Sequence, residues 1–354
     1  MDFSQLYQQY GGLREPGYTL TVDGAELTPG RDARLLGLAC ELTCSLRAGF
    51  LWLEAALDPD GEQGGAWLDA FQLGAVCALS LGYGAARTEV FRGFVYDVSR
   101  SDPLRGGDVG LEAVCLDVRG ALMLSSRADA GAGRTLSQLV GGILGQSCCT
   151  RLAGARTVKD PPEGWNLPAR RLGESDYEVV CAAARLLCYE FYAFADGLYF
   201  GPPRPDSSPC LSFDGPNGLI ELRRRRTLAG QCAAVAVSGA DGRGQRVYAR
   251  HPRARDSGFG AGQMAQALSL DLHQPVDAVR TMAQAQYLAQ ARMEERQRRT
   301  GGVSGRCAGL PELRPGRFVA LSGLNRETNG PYYVRTVRHT LDEQGFETFF
   351  EAEE

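Results

Sequence analysis

The sequence predicts a mainly β protein with an α+β insert, in which two antiparallel β-barrels are joined by a mixed α/β region. Three observations carry this. Short apolar runs separated by Gly and Asp crowd both ends of the chain, helical periodicity is confined to the middle and to one late segment, and part of the first end recurs in the second. The 45 glycines in 354 residues, nearly twice the usual share of roughly 7%, suit a chain rich in turns and bulges.

From Tyr18 to Arg119 the runs YTLTVDG, LACELTCSLRAGFLWLEAALD, LGAVCALSLGYG, TEVFRGFVYDVSR and GLEAVCLDVRG read as strands, with GEQGG as a glycine-rich break. Residues 1–120 are expected to form the first barrel. Helical patterns dominate the expected middle domain, 121–205. TLSQLVGGILGQS opens on Thr135 as a cap and carries Leu136, Leu139, Val140, Ile143 and Leu144 at helical spacing. Beyond the loop KDPPEGWNLP a second helix starts at the cap Ser175, with Asp176 and Glu178 complementing its dipole. Its apolar face is Val179, Val180, Ala183, Leu186 and Leu187. YEFYAF and LYF then flank Ala-Asp-Gly, a hairpin signal in which Gly197 supplies a positive φ.

Residues 206–354 return to strands, CLSFDG, GLIELRRRRTL and QCAAVAVSGADGRGQRVYARH, and are expected to form the second barrel. A long helix at about 276–299 interrupts them, with Pro275 near its first turn and Gly301 past its end. Val279, Met282, Ala283, Gln286, Tyr287 and Ala289 or Gln290 give it a mixed face, and the basic residues of EERQRR suit its C-terminus. The closing strands GPYYVRTVRHTLD and FETFFEAEE pair around Asp-Glu-Gln-Gly.

The repeat supports two similar units. Gly74-Ala75-Val76-Cys77-Ala78-Leu79-Ser80 aligns with Gly316-Arg317-Phe318-Val319-Ala320-Leu321-Ser322, and Phe94-Val95-Tyr96-Asp97-Val98-Ser99-Arg100 aligns with Tyr333-Val334-Arg335-Thr336-Val337-Arg338-His339. Residue type, order and spacing agree, apart from a few residues of hairpin loop.

No pattern of catalytic, cofactor-binding or metal-ligating residues emerges. His251, His273 and His339 lie far apart without metal-site spacing and read as structural or exposed. The eleven cysteines, including Cys40 with Cys44, Cys148 with Cys149 and Cys181 with Cys188, contain no Cys-x-x-Cys knuckle and read as reduced, buried hydrophobes. GADGRG, GGDVG and GFGAG lack the context of a phosphate loop and read as turns. A net charge of −4 gives no general reason to bind nucleic acid, and no stretch approaches the roughly 20 apolar residues of a membrane span. The first residues, MDFSQLYQQYGGLREPG, show no leader pattern, so synthesis and retention in the cytoplasm are expected. Arg223-Arg224-Arg225-Arg226 is the conspicuous basic feature; in a strand it places two arginines on each face, as a solvated or interface element in preference to a phosphate site. Carboxylates for a cell-wall hydrolase are plentiful but show no distinguishing pair.

Three stretches in order resemble the hub proteins of contractile phage tails, the late control protein D family, and the N-terminal hub part of type VI secretion VgrG spikes. They are TEVFRGFVYDV, SDYEVVCAAARLLCYEFYAFADGLYFGPP and LRPGRFVALSGL with NGPYYVRTVRHTLD, spanning about Val90 to the C-terminus. The chain departs from the family at Cys188-Tyr189, where glycine often precedes the aromatic strand. The resemblance implies that the barrels are tube-protein-like and that the role is structural, without catalytic, cofactor or metal residues. It implies a homotrimer that joins a hexameric inner tube protein to a trimeric spike, among other baseplate subunits, in a phage tail, tailocin or related particle. Because VgrG chains continue into a spike and this one stops at Glu354, shortly after its closing hairpin, the spike is expected to be a separate protein. The segment Glu174–Pro203 is expected to brace the barrels.

Overall fold

The computed structural model describes residues 1–103, 106–126, 135–165, 173–194, 197–203, 208–254 and 262–354. Helix α1 (Phe3–Gln9) leads into β1 (Pro16–Val22) and its hairpin partner β2 (Ala25–Leu27), then β3 (Ala33–Thr43), β4 (Phe50–Leu57), α2 (Glu62–Ala70), β5 (Val76–Tyr83), β6 (Ala86–Ser101) and β7 (Val109–Leu116). The six main strands of this first unit hydrogen-bond in the order β1-β5-β6-β7-β4-β3, every pair antiparallel. The run LACELTCSLRAGFLWLEAALD is two strands, turning between Thr43 and Phe50. GEQGG, expected as a break, forms the start of α2. Asp32 Oδ2 accepts from Gln63 N at 2.8 Å, and a Cβ on Gly64 would lie 2.0 Å from the Asp58 carbonyl oxygen, so glycine lets this helix lie against the chain.

The middle block contains α3 (Val118–Met123), α4 (Leu136–Leu144), α5 (Ser147–Leu152), β8 (Ala155–Val158), α6 (Asp176–Leu187), β9 (Glu190–Phe194) and β10 (Gly197–Gly201), with the small sheet β8-β10-β9. Thr135 and Ser175 each form a capping box, and the predicted apolar positions are buried or packed against the core. Helix α6 ends on Cys188 at φ 56°, the left-handed position that glycine occupies most easily, which gives a physical meaning to the departure from the family pattern. Ala195 and Asp196 of the predicted turn lie outside the described residues, but β9 and β10 pair antiparallel. Gly197 is paired with Phe194 and does not have a positive φ.

The second unit begins with β11 (Pro209–Asp214) and β12 (Leu219–Arg226). An insertion follows, with β13 (Ala234–Ala240), β14 (Arg246–Pro252), α7 (Gln263–Ala267), β15 (Asp271–Pro275) and α8 (Met282–Arg298); the unit resumes with β16 (Gly301–Ala308), β17 (Phe318–Ser322), β18 (Gly330–Asp342) and β19 (Gly345–Glu353). Its order is β11-β17-β18-β19-β16-β12, antiparallel except for the parallel pair β11·β17. Helix α8 starts later than the expected residue 276 because Pro275 ends β15, while Thr281 and Gln284 form the capping box. Its buried stripe is Ala285, Leu288, Ala289 and Met293; of the expected face, Val279 and Ala289 are buried and Tyr287 packs against the core, whereas Met282 and Gln286 are exposed.

The repeat extends to individual registers. Val76 pairs with Phe94 as Phe318 pairs with Tyr333, and the Val95 and Val334 amides and carbonyls bond the turns at Gly74-Ala75 and Gly316-Arg317 in the same way. Gly74 and Gly316 have φ of 88° and 78°. Tyr96 and Arg335 occupy equivalent bulges facing β7 and β19. A second pair of bulges, Leu36 in β3 and Ile220 in β12, aligns β3 with β12. Two independent bulges at matched places are strong evidence for one strand plan used twice.

Burial divides the molecule differently from the chain order. One core gathers apolar residues from both units, whereas the other gathers residues 118–200 with residues 232–293 from the insertion. The span 206–354 thus contributes to both cores.

Candidate assembly surface

The two units meet by main-chain pairing. β18 uses Gly330–Tyr333 to pair with β17 and Thr336–Asp342 to pair with β3, making one 13-stranded sheet. The Cys44 amide donates to the Arg335 carbonyl at 3.0 Å, Thr43 Oγ1 lies 3.2 Å from Thr336 Oγ1, and Arg338 donates to Glu41 Oε2 at 2.8 Å. This seals the outer edge of β3, where Cys40, Leu42 and Cys44 are buried.

Two buried ionic groups fasten the middle block to this junction. Arg119, fully buried, donates from Nη2 to Asp117 Oδ2 at 2.6 Å and from Nη1 to the carbonyls of Thr43, Ser45 and Phe191 at 3.2, 2.8 and 3.1 Å. Glu190, at the start of β9, accepts from Tyr333 Oη at 2.5 Å and pairs with Arg335. Burial pushes the Glu190 carboxyl up against the opposing pull of Arg335. These contacts fulfil the expected bracing by Glu174–Pro203, through its hairpin strand β9.

At the far side of the second unit, the sheet path ends on β12. Its position corresponds to β3, yet each of its residues is half-buried or exposed, where most of β3 is buried. Arg224 is bound to Glu327 Oε2 at 3.1 Å and Glu354 Oε1 at 2.9 Å. Arg223 and Arg225 stand on the other face, in rows that continue through Ser304 to Glu351 and through Gly302 to Glu353. The predicted two-faced distribution is therefore present, with acids interleaved among the cations. In the first unit, Asp97–Ser101 of β6 correspond to the part of β18 that receives β3, and Tyr96, Asp97, Ser99, Arg100 and Ser101 are exposed.

The remaining sequence candidates do not converge. His339 is buried in β18 with Nδ1 2.9 Å from Thr348 Oγ1, and burial lowers its pKa to about 3; His251 is half-buried on β14 and His273 exposed on β15. Cys148, Cys188 and Cys210 are half-buried and the other cysteines buried; all are free. Among the described residues there is no metal-binding group of His, Cys, Asp or Glu, and no helix long and apolar enough to cross a membrane. GADGRG forms the β13–β14 turn, where Asp241 Oδ1 accepts from Arg243 and Gln245 amides at 2.8 Å each. Most of GFGAG lies outside the described residues.

Sequence inspection missed the β3–β12 equivalence. Its trace is short: Leu35-Leu36-Gly37-Leu38 matches Leu219-Ile220-Glu221-Leu222 around the bulge.

This duplicated β architecture is the fold of phage and secretion-system tail proteins. The sequence matches no protein-family model and no curated protein. Among solved structures, the chain is similar to a tail protein from Neisseria meningitidis MC58 (TM-score 0.70, 12% identity), covering 96% of this chain and 97% of that one. It is similar to the 43 kDa tail protein of prophage MuSo2 from Shewanella oneidensis (TM-score 0.67, 14% identity), covering 96% and 98%. A third similar structure is the E. coli c3393 protein, a component of the type VI secretion system (TM-score 0.51, 12% identity), with 94% and 76% covered.

Proposed function

We propose that the chain is a non-enzymatic baseplate hub of a phage tail, tailocin or related contractile injection system. Three copies form a ring of six similar units, which adapts a hexameric inner tube to a trimeric spike and contacts other baseplate subunits. The particle carries the protein out of the cytoplasm in which it is made.

The observation that supports this most is the register-level duplication, with bulges at Leu36 and Ile220 and at Tyr96 and Arg335. A chain holding two copies of one unit offers six near-equivalent faces in a trimer while keeping three equivalent faces for the spike. The internal junction supplies the required kind of contact: the β3 edge of one unit on the β18 edge of the next, a head-to-tail pairing that closes when repeated around an axis.

The mass of the purified chain in solution, alone and with its spike, tests this reading. A trimer is expected; a monomer under both conditions contradicts it. The same preparation is expected to leave peptidoglycan intact.

A further inference from the structure

Resting on the trimeric reading, we infer that β12 of one copy pairs antiparallel with Asp97–Ser101 of β6 in the next copy, in the register that β3 and β18 use within the chain. The inference follows from matched strands rather than from exposure alone. Inside the chain, Thr336, Val337 and Arg338 of β18 face Thr43, Leu42 and Glu41 of β3. Substituting their counterparts in the two units places Asp97 opposite Thr227, Val98 opposite Arg226 and Ser99 opposite Arg225.

Independent features agree with this placement. Among the described residues β12 ends the sheet path, as an edge that another strand can extend. The internal bond from the Cys44 amide to the Arg335 carbonyl becomes a bond from Leu228 to Tyr96. Tyr96 and Leu228 are each 47% exposed, so the register brings two isolated exposed apolar side chains together. On one face, Asp97 lies diagonal to Arg225, and the row through Ser99 leads to Glu112 on β7. On the other, Arg100 comes opposite Arg224, whose charge is met by Glu327 and Glu354 within its own copy.

The arginine run thus acquires a role. It gives the free β3-type edge a polar surface before assembly, which discourages indiscriminate strand addition. The complementary occupant is a second copy presenting the exposed β6 segment, with Asp97 diagonal to Arg225 and Tyr96 beside Leu228.

Paired cysteines test the register in the full-length chain. Ser99→Cys with Arg225→Cys and Val98→Cys with Arg226→Cys are oxidised at assembly concentration, beside each single variant and a shifted pair, Ser99→Cys with Arg226→Cys. At least one in-register pair is expected to give a covalent trimer on a reducing-agent-sensitive gel, with the shifted pair and the singles giving none. Native mass, measured before oxidation, separates the two claims. Trimers that cross-link at neither in-register pair overturn the strand pairing and leave the ring standing. A chain that stays monomeric before oxidation, both alone and with its spike, overturns both.

Discussion

β3 and β12 hold the same place in two copies of one unit, and their surroundings explain nearly every difference between them. β3 is covered by β18, and its Cys40 and Leu42 are buried. β12 ends the described sheet, and the equivalent positions are Arg224 and Arg226. Backbone plan, including the bulge, survives in both. The side chains follow whether the edge is sealed within the chain or left for a partner.

The largest expected effect breaks the sealed side. Arg119→Ala leaves Asp117 buried without its ion partner and removes a donor from three carbonyls, so it is expected to lower unfolding free energy by about 3–5 kcal/mol in denaturant titration. An effect below about 1 kcal/mol would mean that the junction does not depend on this anchor.

Acid probes the same junction through His339. Its folded pKa is depressed to about 3 by burial, against an ordinary value near 6.5. Below that ordinary value the unfolded chain binds a proton that the folded chain refuses, so this contribution is present at neutral pH and lost as pH falls from about 6.5 toward 3. By pH 5 the loss is expected to be about 2 kcal/mol, and His339→Asn is expected to flatten the slope over that interval. An unchanged slope in the variant would assign the acid sensitivity to other groups.

A smaller effect isolates the middle block from either edge. Cys188→Gly relieves a non-glycine residue at φ 56° and is expected to raise stability by about 0.5–1 kcal/mol without changing the mass of the assembly. The smallest sharpens the free side: Arg100→Glu, placed opposite Arg224 of the next copy, is expected to tighten trimerisation by about 0.2–1 kcal/mol in a dilution series, measured against the separate loss of the Arg100 hydrogen bond to the Leu68 carbonyl in the monomer. Weaker trimers would contradict the register.

Much of the fold was legible because turns and apolar alternation are local. Thr135 and Ser175 announced their helices, and the Val76–Ser80 and Phe318–Ser322 repeat announced the duplication. The β3–β12 match was faint because sealed and open edges demand opposite chemistry, leucine and cysteine in one and arginine in the other. Pro275 misled for another reason: a proline that ends a strand and one that opens a helix look alike until the capping box at Thr281 is weighed. The anchoring pairs Arg119–Asp117 and Glu190–Arg335 depend on tertiary placement, which spacing alone does not reveal.

Averaged electron micrographs of the purified assembly, viewed down its axis, test the central claim most directly. The account predicts a threefold ring whose wall is divided into six nearly equal lobes, one for each copy of the strand plan. Three lobes with no internal repeat, or isolated single chains, would contradict it.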